Sequence, residues 1–305
     1  MKEDHLLLCI GGITIAITCD APDLTLDVPG ATNDFLVNGV DPDVKVKTTW
    51  GNLSREPYGK KVFDSGALWQ LYHDNGSFLF RFTSPTFGLT PYKEAAFGQD
   101  FKSGEICLHR PIFEHNQRVY PLEYPLDELV ITNLLAKGSG AEIHACGVID
   151  PLNNGHLFVG QSGAGKTTMA RLWQKAEGVE ILSDDRIILR RIDGTLWMYG
   201  TPWHGEAKLA SPNRTPLKQI YFLEKGLVNE LILLSSLDAM GRLFASSFIP
   251  FYFSSAVEFT LGFFQEITKG IPCYKLKFIP DEKVVEFILR QSATKVTTDG
   301  KPLIR

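Results

Sequence analysis

The first 120 residues alternate apolar and polar positions in short runs, which is the pattern of half-buried β-strands. Two runs, Leu68–His73 and Ser77–Phe82, flank Asp74-Asn75-Gly76, and Asn-Gly between alternating runs predicts a hairpin. No chemical motif lies in this part, and no metal-ligand set surrounds His109 and His115. We therefore predict a β-rich N-terminal domain over residues 1–120. Further short strands are predicted at Leu6–Ile10, Thr14–Thr18, Phe35–Val37 and Glu105–Leu108.

After residue 120 the apolar spacing changes to that of helices mixed with strands. Pro125 opens a predicted helix, Leu126–Lys137, and Asn153-Asn154-Gly155 turns a strand at Glu142–Asp150 back into a second one at His156–Val159. The pattern predicts one domain over residues 121–295 and a tail over 296–305. Its other strands are predicted at Val179–Leu182, Arg186–Arg191, Thr195–Tyr199, Leu217–Leu223, Glu230–Leu234 and Cys273–Phe278, and its later helices at Ser255–Lys269 and Asp281–Arg290.

Composition narrows the class of partner. The 305 residues carry a formal net charge of −4 without any basic run, which argues against a nucleic acid or an anionic membrane as partner. The five cysteines are scattered without paired spacing, which is typical of reduced thiols in the cytosol. No apolar stretch is long enough to span a bilayer, so we expect a cytoplasmic protein. The oligomeric state stays open, and a homo-oligomer is one of the alternatives.

One motif carries specific chemistry. The residues from Gly160 to Thr167, GQSGAGKT, fit the phosphate-binding pattern G-x-x-x-x-G-K-[ST] between a predicted strand and a predicted helix. Backbone N–H groups of such a loop surround phosphate oxygens, a lysine adds positive charge, and a hydroxyl can bind Mg²⁺. The alternative is a glycine-rich turn that fits by chance. The predicted nucleotide contacts are Gly160, Ser162, Gly163, Ala164, Gly165, Lys166, Thr167 and Thr168.

A pair of carboxylates follows one short helix later. Asp184 and Asp185 come directly after the strand Val179–Leu182 and Ser183, which is where phosphate-loop proteins hold Mg²⁺. Neighbouring strand residues face opposite ways, so both reach one site only where the strand ends or bends. An exposed loop pair that caps the next element is the alternative.

These motifs occur in an order that resembles a known family. The strand Ile143–Ile149, the loop GQSGAGKTT and the run LSDDRIILRR resemble the catalytic core of HPr kinase/phosphorylase, a core shared with ATP-dependent phosphoenolpyruvate carboxykinase. The stretch Gly200–Glu206, GTPWHGE, is similar to HPr-kinase-related proteins often found near peptide-modification genes. The resemblance covers about residues 142–206. It implies an α/β fold with a P-loop core of the HPr kinase/carboxykinase type.

The resemblance also implies roles for individual residues. ATP with Mg²⁺ would be the cofactor pair, Asp184 the base for an acceptor hydroxyl, and Asp185 a ligand of the metal, with Thr167, or an orienting partner of His144. His144 is equally well interpreted as a core histidine. His204 and Glu206 are weaker candidates for the phosphates or the metal.

The resulting hypothesis is a kinase that transfers the γ-phosphoryl group of ATP to a hydroxyl. The acceptor would be a serine of a protein or peptide, or a small hydroxy compound. Two other classes stay open: an inactive ATP-binding regulatory module, and a carboxykinase-like enzyme.

Overall fold

The computed structural model describes residues 5–21, 23–114 and 117–296. Within these ranges the fold is mixed α/β, with five α-helices and three β-sheets. Contacts divide the chain into two compact units, Met1–Ser139 with Ile249–Val257, and Gly140–Phe248 with Glu258–Arg305. His115 and nearly all of the expected tail lie outside the described residues. None of the described helices is both long and apolar enough to cross a membrane.

The first unit is built mainly from antiparallel and parallel strands. Its elements are β1 (His5–Ile10), β2 (Ile13–Cys19), β3 (Thr25–Leu26), β4 (Val44–Gly51), β5 (Lys60–Asp64), β6 (Trp69–Asp74), β7 (Ser77–Ser84), β8 (Gly88–Gly98), β9 (Ser103–His109), β10 (Arg118–Val119) and α1 (Leu126–Leu134). Eight strands form one sheet in the order β1-β2-β4-β9-β8-β7-β6-β5, and β3 pairs with β10.

Most of the elements predicted in this unit are present. The hairpin is confirmed as β6 and β7, where Asp74 lies opposite Ser77 and both Asn75 and Gly76 have positive φ. The strand predicted at Phe35–Val37 is wrong, because a short 3₁₀ helix occupies Gly30–Phe35 and only one isolated bridge joins the next residue to β1. The predicted first helix ends early as α1, and a π-helical turn follows it.

The first unit extends past the boundary expected at residue 120. The ammonium of Lys93 on β8 is fully buried, donates to the Pro121 carbonyl at 3.1 Å and pairs with Glu123 at 3.1 Å. On α1, Asn133 Nδ2 donates to Tyr252 Oη at 2.9 Å. A buried ammonium needs such partners, so the segment after residue 120 is held to the sheet of the first unit.

The second unit contains the sequence motifs. Its elements are β11 (Ala141–Ile149), β12 (Gly155–Val159), α2 (Lys166–Gln174), β13 (Glu180–Ser183), β14 (Arg186–Ile192), β15 (Thr195–Tyr199), β16 (Arg214–Lys225), β17 (Glu230–Leu233), α3 (Ser236–Ala245), β18 (Ser247–Phe248), α4 (Ser254–Gly270), β19 (Cys273–Phe278) and α5 (Lys283–Val296). The first residues of α4 belong to the first unit.

Two features of strand pairing in the sheet of the second unit position the candidate site. β11 pairs antiparallel with β12, β13, β14 and β18. β12, β16 and β19 lie side by side and parallel, so their carboxyl ends meet at one edge. Ligands of open α/β sheets commonly bind at such an edge. β16 and β17, although consecutive in sequence, are separated in the sheet by β19.

Strand β12 is buried on both faces. Leu157 and Val159 belong to an apolar cluster with α3 and α4, whereas Phe158 between them belongs to a second cluster with α2 and α5. Alternate side chains of a strand face opposite ways, which explains why the run Leu157–Val159 is apolar without interruption. Trp173 of α2, fully buried in the second cluster, fixes the helix against the sheet.

A buried hydrogen bond closes the hairpin of β11 and β12. His156 Nε2 lies 3.0 Å from Asp150 Oδ2, and the Asp150 carboxylate also accepts from the N–H groups of Leu152 and Asn154. Burial alone would raise the pKa of Asp150, but hydrogen bonds from His156 and Asn154 outweigh it and hold the pKa at about 2, below the ordinary 3.8. The ionised form of Asp150 therefore stabilises the fold.

We predict that Asp150→Asn lowers the free energy of unfolding by about 1.5–3 kcal/mol at pH 7, the usual contribution of a hydrogen bond to a charged group. Because the folded pKa is depressed, this contribution is present above about pH 4 and is lost as the pH falls toward 2. Urea unfolding at pH 7 and at low pH measures both effects. Asp193→Asn, in an exposed turn, is the matched control and should change the free energy by less than about 0.5 kcal/mol. Equal losses in the two variants would contradict the assignment.

Candidate functional site

The loop between β12 and α2 turns at two glycines with positive φ. Gly163 and Gly165 adopt φ values of 80° and 110°, which favour glycine. A Cβ atom on Gly165 would also lie 2.7 Å from the ring of Phe278, the last residue of β19. The loop leads directly into the first turn of α2, whose N–H groups have no acceptor within the helix. This end of the helix therefore favours a negatively charged ligand.

Lys166 begins α2 and its side chain folds back over the loop. The ammonium donates to the carbonyls of Gly160 at 2.6 Å and Gln161 at 3.3 Å. Burial lowers the pKa of Lys166, and the nearby Arg186 guanidinium lowers it further. A phosphate group in the loop would offer this ammonium a charged partner in place of neutral carbonyls.

A cavity of about 470 Å³ opens beside the loop. It gathers side chains from β11, the loop, α2, the residues after β13 and the end of β16. The lining residues are His144, Ser162, Gly163, Gly165, Lys166, Thr167, Thr168, Asp185, Gly205, Glu206 and Lys225. Of the sequence-predicted candidates, Gly160, Ala164, Asp184 and His204 are not among them.

Asp185 and His144 form a contact at the wall of this cavity. His144 Nε2 lies 2.8 Å from Asp185 Oδ1, and because an ionised carboxylate only accepts, Nε2 carries the proton. Burial lowers the pKa of His144 to about 4, helped by the charges of Lys166 and Arg186, so the ring is neutral at pH 7. The other Asp185 oxygen accepts a hydrogen bond from Arg186.

Asp184 occupies a different environment. Its side chain is 1% exposed and accepts from three backbone N–H groups, those of Gly205 at 2.9 Å, Ala207 at 2.9 Å and Leu209 at 3.4 Å. The expectation that Asp184 is the base does not match this position, because Asp184 is buried away from the cavity and its oxygens bind three amides of the loop that follows Trp203. Asp184 instead holds that loop in place.

The remaining candidates, Glu206 and His204, lie in the same loop but in different surroundings. Glu206 lies between the two residues whose N–H groups bind Asp184 and is directed to the cavity. His204 is exposed, with its ring nitrogen 3.1 Å from the Gly205 carbonyl oxygen. Lys225 was missed by sequence analysis. It ends β16, the parallel neighbour of β12, so a lysine at the end of a strand that adjoins the motif strand was the available indication.

Comparisons with known proteins give little beyond this geometry. No protein-family model matches the chain, and no curated protein matches it in sequence. Among solved structures, the chain is similar to the HPr(Ser) kinase/phosphatase from Coxiella burnetii, with 13% identity and a TM-score of 0.29. That match covers 52% of this chain and 93% of the other. A TM-score and an identity this low establish neither a shared fold nor a shared activity.

We predict that Asp184→Ala releases the loop that contains Gly205 and Ala207. Their amides lose the buried acceptor, so their hydrogen exchange should accelerate at least about tenfold, as expected for a locally opened segment. Residue-resolved hydrogen exchange by NMR measures this. Asp185→Ala is the control, since Asp185 makes no hydrogen bond to the amides of Gly205 and Ala207, whose acceptor is Asp184. Unchanged protection in Asp184→Ala would show that the loop is held by other contacts.

Proposed function

We propose that this protein is an ATP-dependent kinase of the HPr-kinase-like type, which transfers the γ-phosphoryl group to a hydroxyl. One observation carries the proposal: the glycine loop with Lys166 and the pair of His144 with Asp185 line a single cavity. A phosphate loop alone would support nucleotide binding. A carboxylate on the wall of the same cavity adds a group that can accept a proton from a hydroxyl.

The residues of the loop fit a nucleotide and a metal. The space beside Gly163 is empty, since no atom lies within 4 Å of the position that a Cβ would take. Thr167 places a hydroxyl at the cavity, and no group of three or more His, Cys, Asp or Glu side chains in the described ranges forms a metal site by itself. Such a sparse set suits Mg²⁺, which keeps waters and binds phosphates with few protein ligands. ATP would supply the phosphoryl group, and Mg²⁺ would neutralise its developing charge.

We assign the base to Asp185 rather than to Asp184. Asp185 lies in the cavity, and His144 holds one of its oxygens from the side. Each carboxylate oxygen has two acceptor positions, so these contacts leave room for an acceptor hydroxyl. Phosphoryl transfer depends on positioning and charge neutralisation more than on a strong base, so a carboxylate suffices. The acceptor would be a serine of a protein or peptide, or a small hydroxy compound.

Lys166→Ala should weaken the binding of ATP with Mg²⁺ strongly. A hydrogen bond to a charged group contributes about 1.5–3 kcal/mol, which corresponds to roughly a tenfold to 150-fold loss of affinity. Calorimetry with a non-hydrolysable ATP analogue measures it. Lys175→Ala is the matched control, because Lys175 directly follows the same helix and pairs with Glu282 on the surface. Equal affinities of wild type and Lys166→Ala would contradict the phosphate-loop assignment.

Asp185→Asn should keep the affinity for the ATP analogue within about threefold but lower phosphoryl transfer at least about 100-fold, the usual contribution of a general base. The assay follows labelled phosphate from ATP to water, to serine peptides and to small hydroxy compounds. Asp184→Asn keeps one oxygen acceptor for the loop and should lower transfer less. If Asp184→Asn abolishes transfer while Asp185→Asn does not, the base is Asp184 and our assignment is wrong.

A further inference from the structure

Arg186, at the start of β14, contacts three groups around the cavity without lining it. Its Nη1 donates to Asp185 Oδ2, and its Nε lies 3.6 Å from Glu142 Oε1 on β11. Its guanidinium carbon lies 4.6 Å from the centre of the Phe248 ring on β18. The planar guanidinium is therefore held on three sides, which a lysine ammonium cannot reproduce.

The Glu142 carboxylate gives this arrangement an anchor of its own. The Glu142 side chain is completely buried, and a buried carboxylate is stable only with a paired charge or hydrogen bonds. Glu142 therefore keeps Arg186 in place independently of Asp185. His144 is the register partner of Arg186 in the pairing of β11 with β14. Its ring contacts Oδ1 of Asp185, the oxygen that Arg186 does not bind. Asp185 is thus held between a fixed cation and a fixed neutral ring.

We propose that Arg186 is the positioning residue of Asp185, and that the buried pair of Glu142 with Arg186 fixes the Asp185 carboxylate against the His144 ring. The inference rests on the proposed function only for its catalytic consequence, since the arrangement can be tested without nucleotide. Arg186 is not among the residues that line the cavity, so we expect it to act through the orientation of the Asp185 carboxylate.

The test follows the His144 Nε2–H proton by NMR in the full-length protein, with the resonance assigned by its loss in His144→Gln. In the wild type, the hydrogen bond to Asp185 should slow exchange of this proton with water. Two variants release Asp185 in different ways. Arg186→Lys keeps a positive charge for Glu142 but loses the planar set of guanidinium N–H donors. The double variant Glu142→Gln with Arg186→Gln removes both charges of the pair, so neither is left buried without its partner.

In both variants the Nε2–H proton should exchange at least about tenfold faster, while the amide spectrum stays that of the folded protein. Arg191→Lys is the matched control, because Arg191 lies on the same strand and pairs with Glu266 at 3.7 Å. The control should leave the resonance and its exchange unchanged. Wild-type exchange in both test variants would overturn the proposal. Loss of the fold in both would also overturn it, because Arg186 would then be a structural residue.

Calorimetry with the ATP analogue and Mg²⁺ separates this inference from the proposed function. Arg186→Lys should bind within about threefold of the wild type and lower transfer at a constant KM for ATP. If the wild type does not bind the analogue, the proposed function fails, and the exchange of the His144 proton still decides whether Arg186 positions Asp185. If Arg186→Lys transfers at the wild-type rate, positioning by Arg186 has no catalytic consequence and that part of the proposal is wrong.

Discussion

The change of partner along β11 is the constraint on which the candidate site depends. β11 pairs with β14 over Ala141–His144 and with β13 over Gly147–Ile149. Between them, the chain that joins β13 to β14 must turn beside β11, and the Ala145 N–H donates to the Asp185 carbonyl at 2.9 Å. A Cβ on Gly147 would lie 2.4 Å from the end of the Ile187 side chain, so a larger residue here would have to displace Ile187. The turn places Asp185 and Arg186 next to His144.

The same turn gives two adjacent aspartates opposite surroundings. Asp184 is directed into the protein, where three backbone N–H groups satisfy it, and Asp185 is directed to the cavity. Ser183 helps, because its buried hydroxyl accepts from the N–H groups of Asp185 and Arg186 at 3.3 Å each. Two carboxylates in one site would repel each other without a cation between them. Separation by the backbone removes that cost and lets one aspartate shape a loop while the other faces the cavity.

Sequence reasoning found the parts of the site that local patterns encode. The strand, glycine loop and helix around Lys166 are contiguous, as are the two strands that precede the loop, so spacing and turn residues predict them. The two aspartates could not be told apart from the sequence, because the period of a strand no longer applies where the strand ends. A different reason applies to Glu142, Arg186 and Lys225, whose places near the cavity the sequence did not predict. Their positions follow from pairings between strands, which no local pattern specifies.

Lys166 and Arg186, two cations of the second unit, are held by different kinds of partner. Lys166 is buried and satisfied by loop carbonyls, an exchangeable set of neutral acceptors, and its pKa is lowered by burial. Arg186 is held by a buried carboxylate, which carries a full opposite charge. Desolvation makes the charge of Lys166 costly, so the phosphate that we propose for this loop would gain more from it than from a solvated lysine. The two cations thus have different partners: neutral carbonyls hold Lys166, and carboxylates hold Arg186.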